Sequence, residues 1–169
     1  MKSKVEGRVW RFGDNVDTDQ IIPAEYLVTP DMKELAKHAF ERARPEFAGK
    51  VKPGDIIVAG KNFGSGSSRE HAPRALLGAG VSCVVAESFA RIFFRNSINI
   101  GLPLVEAKVS TKEGGRLMVD FDKGEITDPS TKKTVGFPRY ADFLVKLIDG
   151  GGLIPYAKMK IKEERRGKR

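Results

Sequence analysis

The sequence predicts a single α/β domain with a mixed sheet, in which a parallel βαβ part is followed by a small antiparallel meander. Short apolar runs at 55–60 and 83–86 alternate with helical patterns at 69–79 and 89–98, and this spacing is typical of parallel strands joined by helices. Beyond residue 101, apolar and polar residues alternate between turn-prone pairs, which indicates short antiparallel strands. The 169 residues contain no internal repeat or low-complexity linker, so one domain is expected.

The N-terminal elements lead into the parallel part. Residues 7–12 alternate apolar and polar side chains and predict the first strand. An acidic, turn-prone loop follows at 13–19. Asp31 supplies a helix-start signal, so a helix is expected over 32–43, ending before Pro45.

Glycine, serine and proline delimit the later elements. The helix before Gly80 is closed by that glycine, and Ser88 is expected to cap the helix at 89–98. Pro138 is expected to begin the last helix, which the glycines at 150–152 end.

The positive charge is concentrated at the C-terminus. From residue 158 onward, seven lysines and arginines accompany two glutamates, which gives 7 − 2 = +5 of the net charge of +8. We therefore expect a domain over 1–157 and a basic, solvated tail over 158–169. Such a tail can contact nucleic acid, but none of the common nucleic-acid-binding signatures accompanies it, so this partner is not favoured.

The apolar segments are short. No run of about 18 apolar residues exists, and the N-terminus lacks the apolar core of a signal peptide. We therefore expect a cytoplasmic protein without a membrane partner.

A single cysteine limits the cofactors that the chain can hold. Cys83 lies in the apolar run 81–85 and is expected to be a small buried side chain. One cysteine forms no internal disulfide and no cysteine-rich metal site. No metal site is therefore expected on this chain.

The segment between the second predicted strand and its helix has the composition of an anion-binding loop. Gly64 and Gly66 allow the backbone to approach a ligand, and free N–H groups at a helix start attract an anion. Arg69, expected to open the helix, adds a planar guanidinium that matches a carboxylate. A P-loop is excluded because no lysine follows Gly66, and a dinucleotide fingerprint is excluded because Arg69 occupies the position of its third glycine. A plain helix-capping loop, with Ser67 or Ser68 as N-cap, is the alternative.

Three segments resemble motifs of the aconitase family. The run at 64–71 is similar to the Gly-x-Gly-Ser-Ser-Arg-Glu-His/Gln motif of that family's mobile C-terminal domain. Residues 14–23 resemble its opening Asn-x-Asp-Thr-Asp-x-Ile-x-Pro, and residues 88–96 resemble its Ser-Phe-x-Arg-Ile-Phe-x-Arg-Asn. The resemblance extends over residues 5–157, and the short chain is similar to the separate small subunits of the family's two-subunit hydro-lyases.

The resemblance implies a swivelling β/β/α domain that closes over a [4Fe–4S] cluster held by a large subunit. The chain is then expected to be active only with that subunit, as a heterodimer or heterotetramer. Because iron–sulfur clusters need several thiolates, the cluster is expected on the partner and not on this chain.

The resemblance also implies roles for individual residues. Ser67 is expected to be the catalytic base, and Arg69 is expected to bind a substrate carboxylate. Two acidic residues could orient groups at the subunit interface, or could simply be turn residues. The further residues expected at the substrate are Gly66, Ser68 and Val28, and the two acidic residues are Asp17 and Asp19.

The loop at 26–29 aligns with a specificity loop of the family's small subunits. In subunits that act on homoaconitate, this tetrapeptide typically reads Tyr-Leu-Arg-Thr, with the arginine serving a distal carboxylate. Here the third residue is Val28, which suits the isopropyl group of isopropylmalate in leucine biosynthesis. Homoaconitate and methyl-substituted malates remain alternatives, as does a non-enzymatic module that binds an anion or RNA, and Val28 could instead pack inside the domain.

Overall fold

Seven strands form one mixed sheet in the part of the chain that the structure, a computed structural model, describes, residues 3–168. The strands are β1 (Lys4–Arg11), β2 (Ile56–Ala59), β3 (Cys83–Ala86), β4 (Leu104–Glu106), β5 (Arg116–Asp120), β6 (Glu125–Thr127) and β7 (Thr134–Gly136). Their order in the sheet is β4-β3-β2-β1-β5-β6-β7. Strands β1 to β4 pair in parallel, whereas β1, β5, β6 and β7 pair antiparallel. The predicted α/β class, with a parallel βαβ part and an antiparallel meander, is confirmed.

The helices alternate with the parallel strands and then follow the meander. They are α1 (Thr18–Ile21), α2 (Met32–Ala36), α3 (Phe47–Lys50), α4 (His71–Gly78), α5 (Arg91–Ile100), α6 (Asp142–Asp149) and α7 (Leu153–Gly167), with a 3₁₀ turn at Ala24–Tyr26. Helix α4 packs against α2 and α5. None of the helices within residues 3–168 is both long enough and apolar enough to cross a membrane.

Two apolar cores lie on opposite faces of the sheet. Ile57 and Val84 belong to the core beneath the helices, whereas Ile56 and Val85 belong to the core beneath β5 and β6, because successive side chains of a strand point to opposite faces. Strands β2 and β3 are covered on both faces, which explains why they are buried and apolar along their whole length. The antiparallel half of the sheet thus forms a second β layer, and the layers are ordered β/β/α.

The helix expected over 32–43 is shorter in the structure, and that prediction was wrong, since α2 ends at Ala36. Phe40 has a φ of +55°, a left-handed conformation that a right-handed helix cannot contain. The N–H of Phe40 donates instead to the carbonyl of Ile21, at 2.9 Å. This conformation buries Ala39 and Phe40 completely, so tertiary packing overrides the local periodicity.

One helix cap differs from the prediction, and another was not predicted. Helix α5 begins without a side-chain cap, and the hydroxyl of Ser88 instead accepts a hydrogen bond from the backbone N–H of Asn62, at 2.8 Å. The acidic loop predicted at 13–19 contains the start of α1, where Asp17 is the N-cap and forms a capping box with Gln20. Strand β4 was not predicted at all, because it has only three residues.

The start of α6 also differs from the prediction, since the helix begins at Asp142 and not at Pro138. The hydroxyl of Tyr140 donates to the carbonyl of Leu104 and accepts from its N–H, at 2.7 Å for the latter bond. These bonds hold the segment before α6 against β4, so the helix starts only after it.

The glycines at 150–152 do not end the last helix, because they form the turn from α6 into α7. Gly152 has a φ of +112°, and a Cβ at this position would lie 2.1 Å from the carbonyl oxygen of Asn99. The tail expected from residue 158 is helical through Gly167 and exposed through Lys168, whereas Arg169 lies outside the described residues. A division of the chain at residue 157 stays a prediction.

Candidate active site

The loops that follow β1, β2 and β3 meet at the carboxyl edge of the parallel strands. The N–H of Thr18 donates to the carbonyl of Ser65, at 2.8 Å, and joins the first loop to the second. Phe63 donates to the carbonyl of Ser88, at 3.0 Å, and accepts from the N–H of Ala90, at 2.9 Å, which joins the second loop to the third. Open α/β sheets usually bind ligands at this edge. The three sequence motifs are therefore neighbours in space.

Gly64 determines how closely the central loop packs against α5. Its φ is +83°, and its N–H donates to the carbonyl of Val16, at 2.7 Å. A Cβ at residue 64 would lie 2.1 Å from the ring of Phe93, so no larger residue fits without movement. Gly66 also has a positive φ, of +95°. Together the two glycines bend the loop so that residues 66–68 face solvent.

Ser67 lies exposed at the tip of this loop, beside the exposed Ser68. The hydroxyl of Thr18 donates to the carbonyl of Ser67, at 3.1 Å, and the two hydroxyl oxygens are 3.5 Å apart. The second distance is too long for a strong O–H···O bond. Across residues 3–168, no carboxylate or imidazole is hydrogen-bonded to the Ser67 hydroxyl.

The helix-capping alternative for this loop is wrong. Helix α4 begins at His71, its N-cap is Glu70, and no side chain caps it. Ser67 and Ser68 therefore do not satisfy the helix N-terminus, and Arg69 precedes the helix instead of opening it. The exposed hydroxyls of Ser67 and Ser68 are therefore not used to cap the helix.

Arg69 is held by the first loop. Its Nη1 donates to Oδ1 of Asp19, at 3.2 Å, and lies 3.5 Å from the carbonyl oxygen of Ile22. The Arg69 side chain is 19% exposed, so it is mostly shielded from solvent. The Asp19 side chain with which it pairs is 52% exposed. Asp17, by contrast, uses its carboxylate to cap α1, at 2.8 Å from the N–H of Gln20. The roles of Arg69, Asp17 and Asp19 toward a substrate stay predictions.

Val28 belongs to an exposed loop that begins just after Ile22. The side chain of Val28 is 90% exposed, so the alternative that it packs inside the domain is wrong. Single exposed apolar side chains are common on protein surfaces, so the role of Val28 toward a substrate stays a prediction.

Thr18, whose hydroxyl contacts Ser67, was not predicted from the sequence as a site residue. The available signal was its position within the first of the three motifs. Its partner is 49 residues away, so no local pattern could have identified the contact.

The donors of this chain do not fit an iron–sulfur cluster. Cys83 is completely buried in β3, and burial raises the pKa of its thiol to about 12, so the thiolate is not available at neutral pH. Within residues 3–168, no group of three or more histidine, cysteine or acidic side chains is arranged to hold a metal ion. A cluster needs several thiolates, and this chain has one cysteine.

Comparison with known proteins identifies close relatives over nearly the whole chain. A family model for the aconitase C-terminal domain matches residues 19–108. The isopropylmalate/citramalate isomerase small subunit of Methanocaldococcus jannaschii is 55% identical over 166 residues, which cover 96% of this chain and 99% of that protein. The methanogen homoaconitase small subunit of Methanothermobacter thermautotrophicus is 53% identical over 154 residues, or 91% of each chain. A crystal structure of 3-isopropylmalate dehydratase from Methanocaldococcus jannaschii superimposes with a TM-score of 0.93 at 42% identity, covering 97% of this chain and 99% of that one.

Proposed function

The chain belongs to the aconitase C-terminal domain family, and from this premise we propose that it is the small subunit of a two-subunit hydro-lyase that interconverts 2-isopropylmalate and 3-isopropylmalate. The observation that most supports the proposal is the exposed Ser67 at the carboxyl edge of the sheet, next to an arginine that Asp19 orients. In this proposal the enzyme works in leucine biosynthesis, in the cytoplasm.

Ser67 acts as the base in this proposal. Its alkoxide removes a proton from the carbon beside a substrate carboxylate, and water is later added back in the other orientation. A [4Fe–4S] cluster, which we place on the large subunit of a heterodimer or heterotetramer, would supply the Lewis acid that helps the hydroxyl to leave. Arg69 binds a carboxylate of the substrate through its planar guanidinium, with Ser68 and the backbone of Gly66 beside it.

The chain by itself does not make Ser67 basic. A helix N-terminus lowers the pKa of a nearby hydroxyl by at most about one and a half units, and only within the first turn. Helix α4 starts four residues after Ser67, at His71, so even this contribution is reduced. The remaining stabilisation of the alkoxide comes from Arg69, from water exclusion and from charges on the large subunit. Activity therefore requires the assembled enzyme.

Val28 supports isopropylmalate as the substrate. A β-branched apolar side chain that is 90% exposed suits an isopropyl group and offers nothing to a distal carboxylate. Citramalate is the second candidate, because the relative at 55% identity is named for both isopropylmalate and citramalate. Homoaconitate is less favoured, since no arginine occupies position 28.

A substrate profile tests the proposal. The chain is reconstituted anaerobically with a large subunit from the same organism, and kcat/KM is measured for isopropylmalate, citramalate and homoaconitate. We expect isopropylmalate to give the highest kcat/KM. A higher value for homoaconitate would refute the substrate assignment, and turnover of none of the three would refute the proposed function.

A further inference from the structure

The loop that contains Val28 is anchored by its neighbours and not by Val28 itself. Two residues earlier, the hydroxyl of Tyr26 donates to Oε2 of Glu41, at 2.6 Å. The Tyr26 ring stacks on the imidazole of His38, with centroids 3.7 Å apart and planes 7° from parallel. Nδ1 of His38 lies 3.1 Å from Oε1 of Glu41. Tyr26, His38 and Glu41 thus form a closed cluster, which we call the loop anchor.

Arg42, the residue after Glu41, links the loop anchor to Arg69. Arg42 pairs with Glu25, which lies in the same loop as Val28, and its Nη1 lies 3.9 Å from Oδ2 of Asp19. The other oxygen of Asp19 accepts the hydrogen bond from Arg69, at 3.2 Å. Glu41 therefore contacts Tyr26 in the loop of Val28. Arg42 contacts Glu25 in the same loop and also Asp19, which accepts the hydrogen bond from Arg69.

This network contributes more to geometry than to stability. Arg42 is 57% exposed, and Glu25 and Asp19 are each 52% exposed, so their ion pairs are screened by water and stabilise the fold little. The hydrogen bond to Glu41 raises the pKa of Tyr26 to about 12, so the phenol remains a donor at neutral pH. Parallel ring stacking with His38 fixes the orientation of the Tyr26 ring as well as its distance.

We propose that Tyr26, His38, Glu41 and Arg42 are positioning residues that fix Val28 relative to Arg69 and thereby determine which substituted malate the site accepts. The proposal rests on the proposed function for the identity of the substrate, and it adds the residues that determine specificity. Arg69 binds a carboxylate that all candidate substrates share, whereas Val28 meets the substituent that differs among them. Discrimination between substituents then depends on the separation of the two side chains.

Two variants weaken the loop anchor with little change of volume. Tyr26→Phe removes the donor but keeps the ring, and Glu41→Gln removes the charge that both partners contact. Glu34→Gln is the matched control, because it breaks an exposed ion pair with Lys37, of 3.0 Å, that does not contact the loop. The first measurement is the backbone order parameter of Val28 in the isolated full chain, by NMR relaxation.

The second measurement is the ratio of kcat/KM for isopropylmalate to that for citramalate, with each variant in the complex with its large subunit. We expect both anchor variants to lower the order parameter of Val28, and to change the ratio by about threefold or more, mainly through KM. The control should change neither quantity.

The two measurements separate the possible failures. An unchanged order parameter in both anchor variants would overturn the anchor itself. A lowered order parameter with an unchanged ratio, in complexes that still turn over, would overturn the role in specificity while the proposed function stands. Should the wild-type complex act on none of the malates, the proposed function would fail, and the specificity role would fail with it, whatever the NMR result.

Discussion

Ser67→Ala removes the proposed base and little else, because within residues 3–168 the Ser67 hydroxyl makes only a long contact, of 3.5 Å, with the hydroxyl of Thr18. General base catalysis typically contributes 10²–10⁴-fold, so we expect kcat of the reconstituted enzyme to fall by about a hundredfold or more. Ser110→Ala is the control, since Ser110 is exposed and lies outside the loops of the candidate site. A loss of less than about tenfold in the Ser67 variant would exclude Ser67 as the base.

Arg69→Lys keeps the positive charge but loses the planar, two-pronged contact with a carboxylate. Losing such charge-assisted bonds costs about 1.5–3 kcal/mol, and kcat/KM should therefore fall roughly ten- to a hundredfold. The experiment is steady-state kinetics of the reconstituted complex. Arg74→Lys is the control, because Arg74, on α4, forms a looser pair of 3.8 Å with Glu70. Equal kinetics for wild type and the Arg69 variant would remove Arg69 from the site.

Val28→Arg tests the choice of substrate. An arginine at this exposed position puts charge against the isopropyl group, and it offers a partner to a distal carboxylate. Discrimination on one apolar group is usually about 1–3 kcal/mol, so the ratio of kcat/KM for isopropylmalate to that for homoaconitate should fall about ten- to a hundredfold. An unchanged ratio, with both activities retained, would show that Val28 is not the selector.

At the scale of residues, the sequence predicted candidates but not their contacts. Ser67 and Arg69 could be selected because residues 64–71 resemble a motif of the aconitase family, whereas the residue types alone left an anion site and a helix cap both open. The hydrogen bond from Arg69 to Asp19 joins residues 50 positions apart, and no local pattern contains it. The exposure of Val28 also depends on the packing of the whole loop, so sequence alone left both alternatives open.

At the scale of elements, the prediction succeeded where a single local property determines the structure. Strands β2 and β3 are buried on both faces, and an uninterrupted apolar run is the direct signature of such strands. The helix predicted at 32–43 is too long, because Phe40 adopts a left-handed conformation that places its side chain in the core. Helix α7 was not predicted, because glycines such as those at 150–152 are typical both of a turn between two helices and of the end of a last helix.

One buried carboxylate joins β1 to the start of β2, and it gives the fold an acid-sensitive element. Oδ2 of Asp55 accepts from the backbone N–H of Lys52 at 2.9 Å, from Trp10 at 2.8 Å and from Arg8 at 3.0 Å. Burial by itself would raise the pKa of Asp55, but these three hydrogen bonds outweigh burial and hold it below its ordinary value. A carboxylate with a lowered pKa stabilises the fold at neutral pH, and this stabilisation is lost as the pH falls below about 4.

Asp55→Asn should therefore reduce the free energy of unfolding at pH 7 by about 2–3 kcal/mol, since the bonds to a charged acceptor are weakened. The difference in Tm between wild type and variant should shrink as the pH falls from about 7 to 3. Thermal unfolding followed by circular dichroism measures both effects, and Asp122→Asn, which changes an exposed carboxylate, is the control. A difference that stays constant over this range would show that the charge of Asp55 does not stabilise the fold.

At the scale of the whole molecule, the apolar cores are closed, whereas the loops of the candidate site are exposed. Two apolar cores are closed on the two faces of the sheet, so we expect the chain to fold alone. The loops at the carboxyl edge leave Ser67 and Val28 open to solvent, and the buried Cys83 cannot hold a cluster. From the single cysteine we expect the cluster on a partner subunit, and this stays a prediction, whereas the geometry of the edge required the structure.

The most direct test of the central claim is a competition between wild-type chain and the Ser67→Ala chain for a fixed amount of large subunit. Conversion of isopropylmalate is measured while the proportion of the two chains is varied. We predict no turnover by either chain alone, turnover with wild type plus large subunit, and a fall in activity that follows the fraction of variant added. Turnover by the isolated wild-type chain, or activity that is unaffected by an excess of the variant, would contradict the account.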